Sequence, residues 1–430
     1  MLSQNSRRSQ AAPGAHRSFF MRALLATVLL PVGTLLSSSE PVRASDWNQY
    51  RGPARDNLSP ETGLARHWPE GGPKLLQTFN GLGEAYSTVA VVADVIYTMG
   101  NLGDAEEIIA LDARNGSMIW KTRSGKAYLD GTGNGPRGTP AVDHGKVYAL
   151  GGNGDLTCCN AKSGQVHWQK NILQEFDGSN IVWGISESVL VHNGSVICSP
   201  GGSRGSVVAL NPENGTTIWV SQIPGNPQAS YASPMPMTVD GVEQYVVFTS
   251  KGVTGIRADD GKPMWTQSAS ANGTANCATP LIVGRQVFSS SDYGTGAELV
   301  ELRADAKDVT ATQVYFTTDM KNHHGGMVAV GGYVYGSSGN TLTCVDLSSG
   351  KATWRESSLK GSVICVDQKI VFRHENGDVV LFSARSDKFE ELGRFSPPDR
   401  SSRPAWSHPV VADGRLYLRD QDKLQVYDLK

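Results

Sequence analysis

A chain of 430 residues can hold two or three ordinary domains or one large repeat architecture, and 39% hydrophobic content argues against disorder. Its 48 glycines, roughly 11% of the chain against an average near 7%, are spread throughout and point to many tight turns. The formal net charge of −2, with no cluster of Lys and Arg, speaks against a nucleic-acid partner.

The first 44 residues have the form of an export signal. Arg7, Arg8, Arg17 and Arg22 lead into an apolar run at 23–36, only 14 residues long and too short to cross a bilayer comfortably. Val42-Arg43-Ala44 offers a small-x-small cleavage site before Ser45. Residues from Met21 onward also read as a complete, shorter signal, so either Met1 or Met21 serves as a start. Arg7-Arg8 is a weak twin-arginine match, since it lies far from the apolar run. Removing 1–44 takes away five basic residues and one acidic residue, which leaves 34 basic and 40 acidic and a net charge of −6. The expected organisation is a signal peptide at 1–44, an N-terminal extended segment at 45–72 and a single domain at 73–430. Such a chain is periplasmic or secreted, monomeric, and without a transmembrane span once the signal is gone.

All six cysteines (Cys158, Cys159, Cys198, Cys277, Cys344, Cys365) follow the signal. None stands at the end of the apolar run, as a lipidation cysteine would. No C-x-x-C-H marks covalent haem and no paired C-x-x-C marks zinc. An oxidising compartment permits disulfides, but the spacing fits strand positions better than a stapled framework.

One pattern dominates the rest of the chain: an apolar pair, Asp or Asn, a polar turn, Gly, then Trp four residues after the Gly. It appears as Ala110-Leu111-Asp112 with Gly116 and Trp120, and as Cys158-Cys159-Asn160 with Gly164 and Trp168. It returns with Gly215 and Trp219, with Gly261 and Trp265, and with Gly350 and Trp354. The first four tryptophans are 48, 51 and 46 residues apart, and the 89-residue gap to Trp354 holds a degenerate copy around 300–315. Ahead of each copy stands a hairpin such as Val142-Asp143-His144-Gly145-Lys146-Val147, with turn residues between β-prone runs. Four strands in about 45 residues is the size of a propeller blade.

First strands near Thr88, Thr139, Ser186, Pro234, Thr279, Gly326, Ser362 and His408 number eight. The fold class is therefore all-β: an eight-bladed propeller of four-stranded antiparallel blades. The eighth unit runs out after three strands, and Gly72-Pro73-Lys74-Leu75-Leu76 has the repeat's spacing, with Leu76 in the tryptophan position. The N-terminal strand is thus expected to complete the last blade and remove two exposed edges. Trp120, Trp168, Trp219, Trp265 and Trp354 are read as blade-docking residues, each worth about 4–6 kcal/mol as an upper bound for a buried indole.

The repeat resembles the pyrrolo-quinoline-quinone (PQQ) type, over about residues 75–430. That superfamily implies two functions. Quinoprotein alcohol and glucose dehydrogenases hold PQQ and calcium in the propeller funnel, whereas BamB-like propellers are protein-binding scaffolds without a cofactor. The opening Asp46-Trp47-Asn48-Gln49-Tyr50-Arg51-Gly52-Pro53 and the later Asn322-His323-His324-Gly325-Gly326 look like a BamB-like group of exported bacterial propellers. The resemblance implies a scaffold that binds a protein, peptide or glycan in the cell envelope, with no cofactor. The alternative it leaves open is a PQQ- and calcium-dependent dehydrogenase of an alcohol or sugar.

The chemistry-bearing residues are few. Cys158-Cys159 resembles the vicinal pair that lies against the quinone in alcohol dehydrogenases, but it occupies slots filled elsewhere by Ala110-Leu111 and Ala209-Leu210. Neighbours on a strand face opposite ways, so small buried hydrophobes are the better reading. Arg137, Trp183, Tyr231, Asn276, His323, His324 and His408 precede first strands in different blades and make a candidate funnel lining. His323 and His324 could hold a metal only with donors from other blades; holding the loop by hydrogen bonds is the simpler role. No metal site, nucleophile elbow or phosphate loop is predicted, and catalysis is not the leading reading.

Overall fold

The structure is a computed structural model, and it describes residues 46–430. The expected signal at 1–44 and the choice of start residue lie outside the described residues. The described chain folds into eight sheets, each a blade of a closed propeller. Blade 1 comprises Ala90–Val92, Val95–Leu102, Ala105–Asp112 and Met118–Lys126, running from the central channel outward. Blade 2 repeats this with Ala141–Asp143, Lys146–Leu150, Asp155–Asn160 and Val166–Asn171. Several first hairpins turn on pairs with positive φ, at His144-Gly145, Asn193-Gly194 and Asp413-Gly414, the left-handed pairs that a type I′ turn demands.

The cores lie between neighbouring blades. Cys159 packs in one cluster with Val147 and Trp120, and Cys158 in another with Trp168 and Leu210. Adjacent residues on one strand therefore serve two different inter-blade cores, as strand alternation requires. All six cysteines are free thiols.

Each outer ring of one blade docks on the turn of the next. Trp120 lies against Gly164, Trp168 against Gly215 and Trp219 against Gly261. Those glycines sit at φ of +71° to +75°, and any Cβ there would meet the indole. Two separate constraints thus select glycine. Each indole N–H also finds a carbonyl across the blade boundary: Trp120 to Ala161 at 3.0 Å, Trp168 to Pro212 at 3.0 Å, Trp219 to Ala258 at 2.8 Å and Trp354 to Arg385 at 2.8 Å. Trp265 differs. Its indole N–H donates to Gln244 of its own blade at 2.8 Å, because blade 5 ends in a long hairpin, Gly296–Asp305 with Asp308–Thr317, that has no glycine turn. In that blade Tyr315 takes the docking position, with its hydroxyl on Leu347 O at 2.7 Å and its ring over Gly350.

The ring closes where expected. Leu75–Phe79 pairs antiparallel with Lys423–Asp428, with Leu75 opposite Tyr427 and Phe79 opposite Leu424. The assignment of Leu76 to the tryptophan position needs correcting. A bulge after Leu75 places Gln77 opposite Val426, in the register that Trp168 holds opposite Cys158. Leu76 is 37% exposed, while the Gln77 amide donates to Arg114 O at 2.6 Å. The docking ring comes from Phe79, which lies against Gly116.

Residues 46–72 are not simply extended. Trp47 bridges Val91, and Asn48 exchanges hydrogen bonds with Val142. The chain then turns, with Arg51, Arg55 and Asn57 at positive φ. Leu58–Ser59 joins blade 7 (Gly361–Val366, Lys369–His374, Val379–Ser383 and Glu391–Phe395) as a fifth, parallel, innermost strand. Trp68 reaches blade 7 from outside and packs beside Phe395 at 5.4 Å, against Gly393. A segment this short touches blades all round the channel, so it fills the axis.

Candidate functional site

What fixes the site is how each first strand begins. Two residues ahead of the strand stands a small hydroxyl residue in five blades: Thr88, Thr139, Ser188, Ser233 and Thr279. They form a belt in which each blade holds the next. Thr139 N donates to Ser188 Oγ at 2.8 Å, Ser188 N to Ser233 Oγ at 2.9 Å, and Ser233 N to Thr279 Oγ1 at 3.0 Å. Thr88 Oγ1 closes the far side on His408 O at 2.7 Å.

Below the belt the N-terminal segment seals the channel. Arg51, 2% exposed, donates to Thr279 O at 3.2 Å and Met327 O at 3.0 Å. Arg55, fully buried, reaches Ser188 O at 2.8 Å, Val189 O at 3.1 Å and Gln49 Oε1 at 3.0 Å. Burial draws the Arg55 guanidinium down to about 10, still well above neutrality. Tyr50, between them in sequence, meets His408 edge-on at 5.2 Å and forms the inner end of a cavity of about 330 Å³.

Above the belt the walls are aromatic. Trp183 faces Tyr231 at 5.7 Å, and Trp406 lies 4.6 Å from Tyr86. Arg137 is set between Tyr128 and Tyr86, 4.8 and 5.6 Å from the ring centres, with its two terminal nitrogens on Gly135 O and Gly133 O. Among the described residues that line the cavity, Arg137 alone carries a formal charge and none is a carboxylate.

Opposite stands a chain of side chains. Tyr293 Oη is 2.9 Å from His323 Nε2, His323 Nδ1 is 2.5 Å from His324 Nδ1, and His324 Nε2 is 3.5 Å from Glu375 Oε1. Trp406 Nε1 donates to the same Glu375 oxygen at 2.8 Å. Burial holds His323 below the ordinary imidazole range and His324 well below it, and draws His408 down to about 4. All three rings are neutral at pH 7. His408 Nε2 donates to His324 O at 3.2 Å.

Six of the seven residues named from sequence line one cavity: Arg137, Trp183, Tyr231, His323, His324 and His408. Asn276 does not. It is buried beside lining residue Cys277, with its amide on Thr249 O at 3.0 Å and its carbonyl accepting from Asn272 N at 2.9 Å. Sequence reasoning missed Tyr50, Tyr86, Tyr293, Trp406 and Glu375. The Ser/Thr belt, in contrast, has a readable signal: a hydroxyl residue two positions before each of five first strands.

The sequence model of the family "outer membrane protein assembly factor BamB" matches residues 104–356. BamB of Burkholderia pseudomallei is 24% identical over 360 residues, spanning 80% of this chain and 84% of that protein. Quinohemoprotein alcohol dehydrogenase ADH-IIG of Pseudomonas putida is 33% identical over 154 residues, 33% of this chain and 20% of that enzyme. BamB of Yersinia pestis is 25% identical over 219 residues, so the chain spans about half of that protein's length. Among solved structures, BamB of Moraxella catarrhalis superposes with a TM-score of 0.58 at 14% identity, over 83% of this chain and 98% of that one. Quinohemoprotein alcohol dehydrogenase of Comamonas testosteroni gives a TM-score of 0.61 at 16% identity, over 90% of this chain and 80% of that one. At such identities these two show the fold alone.

Proposed function

We propose that this chain, which belongs to the family of outer membrane protein assembly factor BamB, is an exported, monomeric scaffold that binds a protein, peptide or glycan of the cell envelope in its funnel. The observation that carries this reading is the cavity itself. It is sealed at its inner end by the chain's own segment, walled by aromatic rings, and open where the blade-connecting loops gather. Rigid aromatic walls bind with little loss of side-chain entropy, and loops on one end of a rigid scaffold commonly carry recognition. Export rests on the signal expected from sequence at 1–44; among the described residues no helix is long and apolar enough to cross a membrane.

The dehydrogenase alternative demands donors for PQQ and calcium. Cys158 and Cys159 are buried between blades rather than at the cavity. Calcium takes six to eight oxygens, with carboxylates prominent, and the described lining supplies no carboxylate. The residues present do not fit that pair.

A photocrosslinking residue placed at Trp183 tests the scaffold reading in intact cells, with the same residue at exposed Ile218 on an outer strand as control. The expected result is a discrete adduct from 183 and none from 218. Cells in which 183 gives no adduct overturn it.

A further inference from the structure

The relay of Tyr293, His323, His324 and Glu375 is more than a loop fastening. A histidine that fastens a loop usually bonds backbone. Here both ring nitrogens of His323 and of His324 go to other side chains. Its direction follows from its end. Glu375 Oε1 faces His324 Nε2 at 3.5 Å and favours the proton on that nitrogen, so His324 Nδ1 is an acceptor and His323 Nδ1–H donates to it. His323 Nε2 is then left to accept the Tyr293 hydroxyl proton. The phenol at the head of the relay is 46% exposed, and Tyr293 has φ of +57°, a left-handed conformation that a bulky residue rarely takes and that clusters at functional sites.

We propose that Tyr293 is the acid–base group of a β-elimination site in the funnel, served by the His323–His324–Glu375 relay, whose substrate is a carboxylate-bearing sugar held by Arg137 and the aromatic walls. This rests on the funnel being the recognition site. Aromatic faces suit sugar rings, and Arg137, the cavity's one formal charge among the described residues, suits a carboxylate. Cys277 is the lining nucleophile, but burial pushes its thiol up to about 12, so proton transfer is the chemistry the lining favours.

The step balances without water or oxidant. The Tyr293 proton passes to His323 Nε2, the His323 Nδ1 proton to His324, and the His324 Nε2 proton to Glu375, which leaves a phenolate. The sugar carboxylate, paired with Arg137, acidifies the α C–H, and the phenolate takes that proton as the C–H bond breaks. The electron pair forms a C=C bond to the β carbon while the β C–O bond breaks. Tyr293 then gives the proton to the departing glycosidic oxygen, which leaves as a hydroxyl. His323, His324 and Glu375 are positioning residues. The groups facing them are Asp292, paired with Lys360 at 3.1 Å, along with His408 and Trp406.

The test uses the whole mature protein with oligosaccharides of galacturonate, mannuronate and glucuronate, and neutral dextran as control. Binding is read by tryptophan fluorescence and elimination by the new ultraviolet absorbance of the conjugated product. The expected result is binding of an acidic oligosaccharide, absent for dextran, with unsaturated product. Tyr293→Phe keeps binding within about threefold and loses turnover by on the order of 10²–10⁴-fold. His324→Gln and Glu375→Gln lower the rate and move its pH profile, which a purely structural role would not do. Binding without unsaturated product, or full turnover by Tyr293→Phe, overturns the elimination site and leaves funnel recognition standing. Failure of every acidic sugar to bind, while residue 183 still gives its adduct, likewise overturns it. Loss of the adduct as well removes both readings.

Discussion

Phe79 lies against Gly116 at the closing seam as Trp120 lies against Gly164 one blade on. The seam between the two ends of the chain is therefore locked by the same device as the boundaries that follow Trp120, Trp168 and Trp219, with a benzyl ring in place of an indole. Phe79→Ala is expected to cost about 3–5 kcal/mol, the usual price of truncating a buried aromatic. Trp168→Ala should fall in the same range. Leu76→Ala, on the exposed face of the same strand, should stay within about 0.5 kcal/mol. Urea denaturation midpoints check all three, and a Leu76 effect equal to that of Phe79 contradicts the register.

The central segment makes a second prediction. Arg55 offers its guanidinium to two backbone carbonyls and one side-chain oxygen, in a site closed to water. Arg55→Met keeps much of the stem's volume and removes every donor. Hydrogen bonds from a charged group contribute roughly 1.5–3 kcal/mol each, so a loss of about 3 kcal/mol or more is expected. Amide exchange should accelerate at Ser188 and Val189, whose carbonyls lose their partner, while exposed Arg123→Met leaves both exchange and midpoint unchanged.

The blades were legible because the repeat is periodic, and periodicity survives local exceptions such as the glycine-free hairpin of blade 5. The seam was legible in outline and misjudged by one position. Counting four from Gly72 lands on Leu76, but the bulge that follows Leu75 is a hydrogen-bonding event that spacing cannot reveal. The axial segment was not legible. Arg51 and Arg55 bond to carbonyls far away in sequence, and backbone acceptors leave no trace in residue identity. Glu375 was missed for a related reason: it sits in a blade turn, where an acid is ordinarily solvated, and only the fold carries it behind His324.

Glu187 gives a pH prediction. Burial pushes it up to about 7 from an ordinary 4.5, with Ser199 N and Arg55 opposing. The native state then keeps a proton that the unfolded chain releases between those values, so this group's contribution is complete below pH 4.5. It is lost as pH rises through 7. The parent should lose about 3 kcal/mol relative to Glu187→Gln across that window. His408, drawn down to about 4, acts in the opposite sense, which is why the difference between parent and variant, rather than the raw curve, is the quantity to follow. A parent-minus-variant difference that is flat from pH 4.5 to 8 contradicts the assignment.

The cysteines separate the two branches of the superfamily. Cys158 and Cys159 serve different inter-blade cores, and burial pushes both thiols up to about 12. Thiolate is the reactive form, so neither should alkylate in the native protein. Cys277 is the one cysteine that is not fully buried, and it lines the funnel. Iodoacetamide followed by peptide mapping should label Cys277 first, slowly, and a funnel ligand should protect it. Titration with PQQ and calcium should give neither dye reduction nor protection of Cys158 and Cys159. Should Cys158 or Cys159 react ahead of Cys277, with quinone slowing that reaction, the vicinal pair faces the channel, and the blade register that buries it is wrong.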